Sequence, residues 1–88
     1  MKKIHFTKAF KRDYKTIVSR GLDADILMQL VQLLAEGKKL PDRYKRHRLH
    51  GKWKDFYEYH LNPDWLLIWS EDKGNIYLTR TGSHADLF

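Results

Sequence analysis

His60-Leu-Asn-Pro-Asp64-Trp-Leu-Leu-Ile-Trp69 is the stretch on which the fold turns. Asn62-Pro63-Asp64 is a turn signal, because proline fixes its own φ and Asn and Asp bond to nearby backbone. Trp65 to Trp69 is an unbroken apolar run, the pattern of a central strand covered on both faces. Downstream, Asp72-Lys-Gly-Asn75 reads as a hairpin loop and Ile76–Arg80 as the last strand. Upstream, Trp53–His60 reads as an aromatic-rich strand whose imperfect alternation leaves its faces unassigned. Gly51 marks a turn before it, and Arg46–Leu49 reads as a short strand.

The first half of the chain follows the other period. Lys3–Phe6 reads as a first strand, and Thr7 is placed to cap a helix. Phe10, Tyr14 and Ile17 then form a helical stripe, and Gly21 stops it. Asp23 or Asp25 opens a second helix, whose Ile26, Leu27, Leu30, Val31, Leu33 and Leu34 make a broad apolar face ending at Gly37. Lys38 to Tyr44, with Pro41, reads as a loop. The expectation is a single α+β domain over residues 1–88, written β-α-α-β-β-β, with two N-terminal helices packed as an αα-hairpin on one face of a mainly antiparallel sheet.

Eighty-eight residues suffice for one core, since a chain of this size buries roughly 60–65% of its unfolded surface. With no cysteine, no disulfide framework or thiolate metal site exists. The longest apolar run is far too short to span a bilayer, so no membrane partner is expected and the cytoplasm is the expected compartment. Charge is distributed in blocks: +6 over residues 1–21, −3 over 22–37, +7 over 38–54 and −4 over 55–88. Two strongly basic segments are the footprint of a phosphate-binding protein.

The chain ends Arg80-Thr-Gly-Ser-His84-Ala-Asp-Leu-Phe88, and two other histidine segments precede it, Lys45-Arg-His47-Arg-Leu-His50-Gly and the stretch around His60. Three such segments point to acid–base chemistry on an anionic polymer. RNA cleaves itself once its 2′-hydroxyl is deprotonated, the phosphate stabilised and the leaving 5′-oxygen protonated, with no cofactor required. Histidine suits both proton roles because it titrates near neutrality. Arginine suits the phosphate because its planar fork binds two oxygens. The candidates are His47, His50, His60 and His84 for proton transfer, Asp64 as base or orienter, Arg80 as phosphate clamp, and Phe88 or Trp53 as a stacking surface. Each has a structural alternative: His60 closing the turn, Asp64 bonded to local backbone, Arg80 paired with Asp86, His84 on a loop carbonyl, and Phe88 plugging the core. His5 reads as structural. No histidine pair at helical metal-ligand spacing supports a metal site, and none is expected.

Tyr44 to Lys54, His60-Leu-Asn-Pro-Asp64-Trp and the ending Arg80-Thr-Gly-Ser-His84-x-x-Leu87-Phe88 together resemble the YafQ type of bacterial toxin, in the RelE/ParE superfamily of type II toxin–antitoxin systems. The resemblance covers the whole chain and is specific over residues 44–88. It implies a RelE-like ribonuclease fold and cleavage of messenger RNA, generally on the translating ribosome, neutralised by a cognate antitoxin. It implies catalytic roles for His47, His60, Asp64, His84 and Phe88, and substrate contacts from Arg80, Lys45, Arg46, Arg48, Lys52 and Lys54. His50 departs from the pattern and is auxiliary. The competing reading is a non-enzymatic inhibitor of DNA gyrase or a ribosome-binding module, since the ParE branch keeps the fold without the ribonuclease set.

Overall fold

The first strand, β1 (Lys3–Phe6), runs straight into Thr7, whose hydroxyl accepts the Phe10 N–H at 3.1 Å and caps helix α1 (Lys8–Ser19). Helix α2 (Ala24–Glu36) starts at Asp23, whose side chain accepts the Asp25 N–H, and ends at Gly37 in the left-handed conformation. The computed structural model describes residues 1–38, 40 and 55–88, together with the backbone of 46–48. Four more strands follow: β2 (Arg46–Arg48), β3 (Tyr57–Asn62), β4 (Trp65–Asp72) and β5 (Asn75–Gly82). A final helical turn, α3 (His84–Leu87), closes the chain. The order β-α-α-β-β-β therefore undercounts by one strand and by this last turn.

The sheet runs β1-β5-β4-β3-β2, with β1 parallel to β5 and every other pair antiparallel. The apolar run of β4 is its central strand, and alternation sends its side chains to two separate cores. Trp65, Leu67 and Trp69 join Phe10 and Ile17 of α1 and Leu27, Leu30, Val31 and Leu34 of α2. Leu66 and Ile68 face the other way, under Leu87 of α3 and Phe56. Helices cover one face, as expected. The second is closed by the chain's own C-terminal turn, which is why the run needs no polar residue. Ile26 is the exception on α2, exposed in its first turn. Lys73 and Gly74, both at positive φ, make the two-residue connection from β4 to β5.

Thr81 is the buried polar residue of the described core. It accepts from the Trp65 indole at 3.0 Å and donates to the Leu66 carbonyl at 2.8 Å, tying both faces of β4 to β5. His5 bonds Asn75 at 2.9 Å and stacks on Tyr77, a structural role as its sequence position suggested.

Candidate active site

Antiparallel register assembles the site on the face away from α1 and α2. Directly paired residues share a face. Glu58 pairs with Ile68 and His60 with Leu66, so both polar side chains stand beside the apolar floor that Leu87 covers. Opposite Leu66 lies Gly82, where the chain turns into α3. Gly82 has φ of 154°, and a β-carbon there would meet the Asp86 carboxylate at 2.9 Å, so only glycine permits this close turn. Ser83 and Asp86 then form a reciprocal capping box around α3.

That turn delivers His84 to Asp64. The Asp64 carboxylate accepts the His84 backbone N–H at 3.0 Å and contacts its Nδ1 at 2.9 Å. The backbone bond first, and the ring bond second, hold the Asp64 carboxyl below the usual carboxylate range, so it is ionised at neutral pH. An ionised acceptor at Nδ1 fixes the ring's tautomer and directs proton transfer to Nε2. The turn is held by Asn62 instead, whose side chain accepts the Asp64 N–H at 2.9 Å, leaving Asp64 to reach across 20 residues. The local-backbone alternatives for Asp64 and His84 are thereby both set aside.

His60 does not close the turn. It lies in β3, its ring 5.6 Å from that of His84 at an interplanar angle of 68°. Its Nε2 contacts the carboxylate of Glu58, a residue the sequence reading passed over. Glu58 and His60 are two apart on a strand, so a secure face assignment for β3 would have exposed the pair. Imperfect alternation and the register shift between His60 and Asn62 hid it. The result is two carboxylate–imidazole pairs facing each other, suited to giving and taking protons in one event.

Arg80 is not paired with Asp86. Its guanidinium forks onto Asp13 of α1, Nε at 2.6 Å and Nη2 at 3.2 Å, and the Thr81 N–H donates to the same carboxylate at 3.1 Å. Asp13 raises the Arg80 pKa further above its ordinary value and anchors it at the end of β5. Asp86 instead takes Arg20, whose fork holds its carboxyl far below the usual range, helped by the Ser83 N–H. Phe88 is 60% exposed and does not plug the core; its neighbour Leu87 does. Register places His47 opposite Glu58, bordering the two pairs. The side chains of Arg46, His47 and Arg48, and all of Lys45, His50, Lys52, Trp53 and Lys54, lie outside the described residues.

Asp86 ties the last helical turn to α1, and its sign with pH is fixed. A carboxylate depressed in the folded state stabilises above its unfolded pKa, near 4, and that contribution fades as pH falls below it. The terminal turn is therefore expected to loosen in acid before the sheet does. Amide exchange at His84 to Phe88, compared with β4 at pH 6 and pH 3, measures this. Equal protection of the turn at both values would rule it out.

Glu58, His60 and His84 also present ligand atoms within 4.8 Å of one another, close enough to share one divalent ion. No helix among the described residues is long and apolar enough to cross a membrane.

The mRNA interferase toxin YafQ of Escherichia coli K12 is 36% identical over 86 residues, 97% of this chain and 94% of that protein. A metal-bound toxin crystal structure from Helicobacter pylori superposes with a TM-score of 0.93 at 40% identity, covering 100% of both chains. YafQ in the E. coli DinJ–YafQ complex superposes with a TM-score of 0.92 at 35% identity, covering 100% of this chain and 99% of that one. Residues 2–88 match the family described as the YafQ bacterial toxin of type II toxin–antitoxin systems, and with so nearly the whole chain accounted for, this protein belongs to that family.

Proposed function

We propose that this toxin is an endoribonuclease that cuts messenger RNA by attack of the 2′-hydroxyl on the adjacent phosphorus. The O2′–P bond forms and the P–O5′ bond breaks, leaving a 2′,3′-cyclic phosphate and a 5′-hydroxyl. The observation that carries this reading is the facing of His84 on Asp64 and His60 on Glu58 at 5.6 Å between rings. One imidazole takes the 2′-proton while the other protonates the leaving oxygen. Phosphate charge falls to Arg80, held in place by Asp13, with the basic 38–54 segment binding the flanking backbone. Phe88, exposed beside His84, stacks on a nucleobase. The translating ribosome is the proposed setting, and the cognate antitoxin the proposed brake, as relatives crystallise with DinJ.

Purified protein incubated with a long RNA in EDTA, followed by mapping of the new 5′ ends, tests the reaction. Cleavage with 5′-hydroxyl ends is expected in the absence of any divalent ion. Silence on free RNA and on messages in translating ribosomes would overturn the nuclease reading. Added copper(II) is expected to inhibit, because an ion shared by Glu58, His60 and His84 occupies the nitrogen lone pairs that proton transfer needs. The metal-bound toxin from H. pylori supports that expectation. Undiminished cleavage in saturating copper would argue against it.

A further inference from the structure

We propose that Glu58 is a positioning residue for this reaction, acting through His60; the inference rests on the ribonuclease reading. The two carboxylates of the site differ in setting. The Asp64 side chain is 69% exposed, whereas that of Glu58 is 13% exposed, set beside Ile68 in the strand register. A carboxylate withdrawn from water needs a partner, and one lying against an apolar floor is screened less than one in solvent. Glu58 finds that partner in Nε2 of His60, two residues along the same strand face. Ionised Glu58 accepts the Nε2 proton of the ring. That places the lone pair of neutral His60 on Nδ1 and fixes the ring plane relative to His84. The strand sets Glu58 against His60 in the register that also faces His47. Glu58 thus builds the geometry through which His60 exchanges its proton, without itself touching the reacting atoms.

The test is Glu58→Gln in the full chain, with Glu58→Asp beside it. Turnover and KM are measured on an oligoribonucleotide or, where free RNA is not cut, on ribosome-bound message. Long-range ¹H–¹⁵N spectra report the tautomer of His60. In the Gln variant kcat is expected to fall roughly 10- to 100-fold with KM little changed, since only the proton-transfer geometry is lost. The His60 ring is expected to lose its Nε2–H preference, and Asp to recover part of both. Wild-type kcat with an unchanged His60 spectrum in Glu58→Gln overturns the inference while leaving the nuclease intact. A fall in thermal stability that accounts for the loss, with no rescue by Asp, overturns it too. If wild type cuts neither substrate, the ribonuclease reading fails and this inference falls with it.

Discussion

His84→Ala abolishes RNA cleavage and the growth arrest that follows expression, while the far-UV circular dichroism keeps the wild-type trace. Both halves of that expectation come from the same geometry. The His84 side chain is half exposed and lies outside both hydrophobic clusters, so its loss empties no core. Its backbone N–H still donates to Asp64 in the variant, and the capping box of Ser83 and Asp86 does not involve its ring. Only the proton-transfer group disappears, and a positioned acid or base contributes roughly 10²–10⁴-fold. His60→Ala should behave alike. Full toxicity in both variants would transfer the action to the basic segment. Charge reversal at Lys45, Arg46 and Arg48 would then be the substitution that silences the protein.

The second large effect separates two adjacent residues. Leu87→Ala is expected to cost about 2–3 kcal/mol of stability, the lower part of the range for a Leu deleted from a core, because the Leu87 cluster is small and close to the surface. Phe88→Ala is expected to change stability by no more than about 0.5 kcal/mol, as for an exposed position. Its cost should appear in kcat/KM instead, about tenfold or more, since base stacking on an aromatic ring contributes about 1–3 kcal/mol. Urea unfolding and cleavage kinetics on the two variants settle the matter. A Phe88→Ala midpoint shift as large as that of Leu87→Ala would restore the core-plug role to the terminal ring.

How much of this was legible in the sequence depended on the range of each interaction. Trp65 to Trp69 announced a doubly covered central strand because burial on both faces is written in consecutive residues. Thr7, Asp23 and Gly37 announced helix ends for the same local reason. The family resemblance brought His60, Asp64 and His84 forward, and the structure sets these three side by side. Partners of charged groups were not legible. Arg80 reached Asp13 across 67 residues and Asp86 reached Arg20 across 66, where the reading had joined the two nearest in sequence. Glu58 stayed hidden because the register of β3 is set by its neighbours. One residue of slip would have turned it to the opposite face.

The parallel pairing of β1 with β5 has a bearing on how the protein is made. His5 meets Asn75 across 70 residues of chain, so the first strand emerges from the ribosome long before its neighbour exists. Until β5 arrives, β4 lacks one flank, Trp69 and Leu67 lack Ile76 and Leu78 beside them, and no His84 has been synthesised. Translation that halts earlier releases a peptide that can neither close its sheet nor assemble its proton-transfer groups. An enzyme that severs messages would therefore gain nothing from a severed copy of its own: each cut upstream of the β5 codons yields an inert fragment, and its synthesis limits itself.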